Sequence, residues 1–369
     1  MIALRRKIET EISEHGPIPF SRYMELCLYD PEFGYYNRNA SQFGKAGDFY
    51  TSSDVHAVFG RLLARQFEEM WRVIGSPEQF MILELGTGRG LFARDVLDWS
   101  EKKFPGFFRA LHFYTREDSP ALAQHTEQTL KRHLESGKAS SLSMDDKLYK
   151  MNLVFANELF DALPVRIVSN RGSLHIDVRD GRFVELWLAA SDEELEFLDR
   201  YSVHPEEGER IEVPITLLTG LTFSLDQGFV IIIDYGYTRE EQLAGRHRGT
   251  LKAIRQHSVS ANPYEAPGEQ DITADVNFTA LAAIAEHHGF QVQKLITQSQ
   301  FLMGIGEANQ FADAFEDCRL PQEWAKVALQ LKHLVTPAGM GESFHALVAS
   351  KGVDLAKVSG LAGLSFGRR

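Results

Sequence analysis

The sequence predicts an α/β protein with a doubly wound, mostly parallel sheet, an N-terminal helical segment and an inserted β-containing subdomain. Three observations carry this. Apolar strand-like runs alternate with helical patterns from residue 79 onward, the rhythm of stacked βα units. The run "FVIIIDYG" has no polar residue until Asp234, as expected of a strand covered on both faces. The stretch "MILELGTGRG" places Gly86, Gly88 and Gly90 directly after a strand, where open α/β sheets bind ligands.

The elements follow in order. Leu4, Ile8 and Ile12 recur every four residues, predicting an amphipathic helix that ends before "GPIPF". "SRYMELCLYDPEFGYYNRNASQFGKAGDFYTSSD" reads as a helix and then an irregular loop, because Gly, Pro and Asn interrupt its aromatic residues. A helix is expected at 55–73, before Gly75 and Pro77. "FMILELG" is the first core strand, followed by a helix with Phe92, Val96 and Trp99 on one face. "RALHFYTRE" is the second strand, and the helix after it opens with Ser119 as N-cap and Pro120 in its first turn. "MNLVFANELF" and "FVIIIDYG" are the third and fourth strands. Further on come a helix at 276–288, closing strands around 291–303 and 343–351, and a helix at 321–335 with Trp324, Val327, Ala328, Leu331 and Val335 inward.

Two stretches break the rhythm: β-like pieces and charged loops at 165–227, and a long polar loop at 237–275. The expected organisation is therefore an N-terminal region over 1–78, half of a core over 79–164, an insertion over 165–227, the second half over 228–352 and a tail over 353–369.

The chain has 369 residues and a net charge of −12, which argues against non-specific nucleic-acid binding, since phosphate backbones require a basic field. Cationic ligands or basic protein segments suit it better. Cys27 and Cys318 are the only cysteines and form neither a metal-ligand spacing nor a disulfide framework. No apolar run approaches the roughly 18 residues that a membrane-spanning helix requires. The simplest location is a bacterial-type cytoplasm, or the mitochondrial matrix if the source is eukaryotic.

The glycine turn has a telling neighbour. A dinucleotide fingerprint is G-x-G-x-x-G, but here Leu91 takes the place of its last glycine, and Glu84 stands two residues before Gly86. A carboxylate there repels a pyrophosphate, which disfavours a dinucleotide oxidoreductase. It suits a cofactor that carries an ammonium and a sulfonium and no phosphate, and S-adenosyl-L-methionine has both. Glu117 ends the second strand, where nucleotide folds place the carboxylate that takes ribose hydroxyls. Gly86, Thr87, Gly88 and Gly90 are the expected backbone cradle. The competing reading makes Glu84 and Glu117 solvated strand ends around a tight turn.

At this point the chain resembles the MidA-like methyltransferases, whose mitochondrial members assist assembly of respiratory complex I by dimethylating an arginine of a partner subunit. Five blocks carry the resemblance: "GPIPFSRYMELCLYDPEFGYY", "GDFYTSSDVHAVFG", "LELGTGRG", "NELFDALPV", and "PGEQDITADVNFTAL" after "DYG". The family often has Pro where Thr87 stands, and an apolar run into "VE" where this chain reads "YTRE". The resemblance implies a Rossmann-like class I methyltransferase core. It also implies that "GDFYTSSD" walls the cofactor, which makes Asp48, Thr51 and Ser52 further contacts; helix capping is the alternative for that segment.

If the acceptor is arginine, a carboxylate must orient one guanidinium nitrogen, and such pairs are bidentate. "NELFD" ends the third strand and supplies candidates: Glu158 as guanidinium clamp, Asn157 shaping the site, and Asp161 assisting or helping proton removal. Asp234, His257, Asp271 and Asp275 are lesser candidates, and Phe33, Tyr35 and Tyr36 either line an acceptor groove or simply pack. The expected activity is methyl transfer to an arginine of a partner protein, such as a respiratory-complex subunit. A small-molecule acceptor and an assembly factor with little turnover are the alternatives.

Overall fold

The apolar run at 80–85 forms β1 (Phe80–Leu85), the strand on which the larger sheet turns. In the computed structural model, which describes residues 2–38, 57–143, 150–214, 225–255, 258–260 and 262–367, β1 is followed by β2 (Leu111–Arg116), β3 (Ala139–Leu142), β4 (Leu153–Asn157), β5 (Gly228–Tyr237), β6 (Gln291–Val292), β7 (Ile296–Thr297) and β8 (Phe344–Lys351). Their order in the sheet is β6-β8-β5-β4-β1-β2-β3, with β7 also on β8. The pairs β3–β2, β2–β1, β1–β4 and β4–β5 are parallel, and β8 closes antiparallel on β5. The chain winds outward one way from β1 through β2 and β3, then returns through β4 to the other side. The C-terminal ends of β1 and β4 therefore flank the point where strand order reverses, the usual ligand position in such sheets.

Contacts divide the described residues into two units: one drawn from 1–49, 160–221 and 236–284, the other from 50–159, 222–235 and 285–369. The second unit carries this sheet, with α1 (Val58–Val73), α2 (Leu91–Lys103), α3 (Pro120–Glu135), α4 (Gln298–Glu307) and α5 (Pro321–Val335). Its core joins Phe59 and Phe67 of α1, Phe92 of α2 and Phe155 of β4, all buried. The Phe92 and Phe155 rings stack at 4.4 Å. As read from the sequence, Ser119 caps α3, its Oγ accepting from the Leu122 N–H at 3.3 Å.

The first unit has its own core. Leu4, Ile8 and Ile12 of the N-terminal helix (Ile2–His15) pack with Ile167, Leu174 and Ile176 from short antiparallel strands and with Ala253 and Ile272. Segments that look separate in the sequence thus share one apolar interior.

Several expectations need correction. The stretch 237–275 is not structureless: it holds a helix at Arg239–Leu243 and three paired strands at Lys252–Arg255, Ser258–Ser260 and Asp271–Thr273. That helix starts on a capping box between Thr238 and Glu241. The expected strand around 291–303 is only β6 and β7, because Thr297 and Gln300 form another capping box that begins α4. The inward face of α5 is Val327 and Leu334, with Leu331 and Val335 half-buried against the same core as expected, while Trp324 is 49% exposed and Ala328 is exposed. Trp324 stacks on Phe315 with ring centroids 4.6 Å apart, so its ring covers a neighbour rather than entering the core. Strand β3 was not anticipated, since "ASSL" has no apolar run.

Candidate functional site

The hydrogen-bond ladder of a central parallel strand fixes where Glu84 goes. It pairs across to Thr115 on β2 and Phe155 on β4, so its side chain is only 4% exposed. Its Oε2 is buried with no hydrogen-bond partner among the described residues. Burial, and then the nearby Glu117, push its carboxyl well above the ordinary carboxylate range. A charged group in that state costs several kcal/mol of lost hydration unless something pairs with it. The reading of Glu84 as a solvated strand end is therefore excluded.

The turn after β1 needs glycine at each predicted position. Gly86, Gly88 and Gly90 have φ of 66°, 59° and 75°, where L-residues with a Cβ are strained. A Cβ on Gly86 would lie 2.8 Å from Leu159 Cδ1, and one on Gly90 would lie 3.2 Å from Thr126. At Gly88 it would meet no atom of the described residues within 4 Å, so among them nothing covers that side of the turn. The turn is tied down from behind. The Gly86 N–H donates to Arg116 O at 3.0 Å, and the Thr126 hydroxyl donates to Gly88 O at 2.8 Å. Thr87 is 6% exposed.

Glu117 follows β2 and reaches the same turn. Its Oε2 accepts from the Gly88 N–H at 2.7 Å and its Oε1 from the Ser119 N–H at 3.0 Å. Burial pushes its pKa up from 4.5 to about 7, although these two N–H groups pull the other way. The C-terminal end of β1 thus joins two carboxylates that burial pushes up and a glycine turn, with no cation among the described groups that shift either acid. A ligand suited to it brings positive charge and hydroxyl donors and no phosphate.

At the end of β4 the chain does something unusual. Glu158 adopts φ of 51°, a left-handed conformation that costs a non-glycine residue roughly 1–2 kcal/mol. Its N–H donates to Ile233 O at 3.0 Å, and Asn157 Nδ2 donates to Glu158 Oε1 at 3.0 Å. Asp234, fully buried, accepts from the Leu159 N–H at 3.2 Å and the Tyr235 N–H at 2.9 Å. Asn157 Oδ1 is another buried acceptor with no partner among the described residues. Leu159 packs against Gly86, so the Glu158 turn and the glycine turn touch.

The other candidates belong to the first unit or fall outside the described residues. Asp161 belongs to the first unit, in a 3-10 turn at Phe160–Ala162, where it is 2% exposed and its carbonyl accepts from the Ala274 N–H at 2.9 Å. In that unit Asp271 accepts from the Tyr36 hydroxyl at 2.8 Å, and Asp275 pairs with His247 and Lys252. Tyr36 meets Tyr29 and Tyr35 ring to ring at 5.5 and 5.3 Å, which is packing. Asp48, Thr51, Ser52 and His257 lie outside the described residues. Sequence reasoning missed the left-handed backbone of Glu158, since nothing in "NELFD" marks it, and the seating of Leu159 on Gly86.

Comparison with known proteins agrees with this chemistry. Residues 62–296 match the S-adenosyl-L-methionine-dependent methyltransferase family Methyltransf_28. The protein arginine methyltransferase NDUFAF7 homolog of Drosophila melanogaster, a mitochondrial protein, is 30% identical over 398 aligned residues, covering 95% of this chain and 85% of the relative. Human NDUFAF7 is 26% identical, covering 92% and 81%. A COG1565 superfamily member from Burkholderia thailandensis, solved with bound S-adenosyl-homocysteine, superposes with a TM-score of 0.84 at 27% identity, covering 98% of this chain and 94% of that one. The chain belongs to the MidA-like family of S-adenosyl-L-methionine-dependent methyltransferases.

Proposed function

We propose that the protein transfers methyl groups from S-adenosyl-L-methionine to an arginine side chain of a partner protein. The observation that carries the acceptor assignment is Glu158: a carboxylate held in a strained backbone conformation at the ligand end of β4, beside the glycine turn. Strain of this kind persists where function needs a side chain aimed in one direction. The relatives named protein arginine methyltransferases and the net charge of −12 favour a basic, arginine-bearing acceptor. A respiratory-complex subunit is the partner that the family resemblance suggests.

When bound, the cofactor supplies a sulfonium-activated methyl carbon. The chain's own residues do the rest. In this reading Glu84 Oε2 takes the cofactor's ammonium, and Glu117 takes the ribose hydroxyls. Gly86, Thr87, Gly88 and Gly90 let the backbone approach closely. Asp48, Thr51 and Ser52, outside the described residues, are assigned to the cofactor by the family resemblance alone. Glu158 pairs with the guanidinium and presents one nitrogen in line with the methyl carbon, with Asn157 fixing the carboxylate. Methyl transfer would leave the guanidinium nitrogen with one proton to shed, which water would take. Alignment of this type is worth orders of magnitude in rate. Cys27 and Cys318 are free thiols, which fits a reducing compartment such as a bacterial cytoplasm or a mitochondrial matrix.

The test uses [methyl-3H]-labelled cofactor with extract from cells lacking the enzyme, followed by acid hydrolysis. Label should appear in methylarginine, and Glu158→Gln should lower the rate at least 100-fold while cofactor binding changes less than about threefold. Label in the small-molecule fraction would move the acceptor out of proteins, and an unimpaired Glu158→Gln would remove that residue from the mechanism.

A further inference from the structure

We infer that Asp234 is a positioning residue for methyl transfer, holding the left-handed turn that aims Glu158. This rests on the assignment of Glu158 as the acceptor carboxylate. The parallel ladder between β4 and β5 runs to the pair Asn157 and Ile233 and ends there. One more backbone bond forms, from the Glu158 N–H to Ile233 O. The chain then turns at φ of 51°, and the next donor, the Leu159 N–H, has left the strand direction.

Asp234 supplies the acceptor that β5 no longer offers. Its Oδ2 takes the Leu159 N–H at 3.2 Å, while its Oδ1 takes the Tyr235 N–H at 2.9 Å. The side chain is fully buried in the body of the sheet, so it forms a fixed post on β5. Residue 158 is thereby gripped from both sides, by Ile233 O before the turn and by the Asp234 carboxylate after it. The same grip seats Leu159 against Gly86, where an added Cβ would lie 2.8 Å from Leu159 Cδ1. One carboxylate thus fixes the aim of Glu158 and the spacing between its turn and the glycine turn. Without it, the strained backbone is free to relax to an ordinary conformation, which swings the Glu158 side chain away. Misplacement of a reacting group by about 1 Å costs on the order of 100-fold in rate.

The experiment compares wild type, Asp234→Asn, Glu158→Asp and the double variant in the labelled-extract assay over a range of cofactor concentrations up to saturation. The thermal shift given by S-adenosyl-homocysteine serves as the control for fold and cofactor pocket. Asp234→Asn keeps the volume and one carbonyl acceptor but loses the charge. The expected result is a retained thermal shift, a cofactor KM within about threefold of wild type, and a maximal rate reduced 10- to 100-fold. In the Glu158→Asp background the same change should cost less than about threefold more, because the aim is already lost. An unchanged rate for Asp234→Asn, or losses that multiply in the double variant, would overturn the inference; so would loss of the thermal shift, which marks a purely structural role. A fully active Glu158→Asp together with a fully active Glu158→Gln would instead sink the Glu158 assignment.

Discussion

Glu117 makes cofactor binding a proton-linked event with a calculable size. Its pKa rises from 4.5 to about 7 chiefly through burial, and ribose hydroxyls that donate to the carboxylate favour its charged form. The folded free protein therefore holds a proton that the unfolded chain has released, so its stability is fully present below about 4.5 and is lost as pH rises towards about 7. The ligand reverses this by stabilising the charged form. If binding returns the group to its ordinary pKa, the linkage reaches roughly 3 kcal/mol at most, from about 1.4 kcal/mol per unit. Affinity should be about tenfold below its plateau at pH 6 and about 100-fold below it near pH 5. Adenosine is the right probe, because it carries the ribose without the ammonium or sulfonium that would engage Glu84. Calorimetry in two buffers of different ionisation heat should show close to one proton released near pH 6 and almost none near pH 8. Glu117→Gln should flatten both the proton release and the pH slope. A flat adenosine affinity in the wild type, with no proton released, would refute the assignment of Glu117 to the ribose.

Further expectations concern the neighbouring residues. Glu84→Gln removes a buried carboxyl whose pKa lies well above the ordinary range, so the free protein should gain stability at neutral pH, read as a raised Tm. Its affinity for S-adenosyl-L-methionine should fall by roughly 10- to 100-fold, since a charge-assisted bond of about 1.5–3 kcal/mol is lost, while adenosine binding stays unchanged. Glu158→Gly relieves the strain at φ of 51° and should leave stability equal to wild type or up to about 1 kcal/mol higher in urea unfolding, with methyl transfer abolished. Gly86→Ala, with its Cβ 2.8 Å from Leu159, should destabilise more than Gly88→Ala, whose Cβ meets no atom of the described residues within 4 Å. A difference of about 1–3 kcal/mol is expected from overpacking, and equal losses would argue against the packing of Leu159 on Gly86.

Much of the larger unit was legible because its strands are continuous apolar runs. "FMILEL" and "GFVIIIDY" announce buried parallel strands, and Ser119-Pro120 announces a helix start. The glycine turn was legible for a stronger reason: Gly86, Gly88 and Gly90 all have positive φ, a demand that leaves a mark on residue type. Less was legible where short-range pattern decides nothing. β3 pairs through "ASSL", two of whose four residues are polar serines, so no apolar signal distinguishes it from a loop. The interior shared by Leu4, Ile167 and Ile272 depends on contacts across hundreds of residues. The capping boxes at Thr238 and Thr297 stand in the sequence as T-x-x-E and T-x-x-Q, set in a polar and an apolar stretch that carry no helical period of their own. The backbone at Glu158 could not be read, because a left-handed glutamate is imposed by its surroundings and has no signature of its own.

The most direct test of the account is a crystal structure of this protein soaked with S-adenosyl-homocysteine. The account predicts the ligand's ammonium at about 2.7–2.9 Å from Glu84 Oε2, both ribose hydroxyls within bonding distance of Glu117, and the Gly86–Gly90 backbone against the ligand. A ligand bound elsewhere, or bound with Glu84 still unpaired and the ribose away from Glu117, would contradict it.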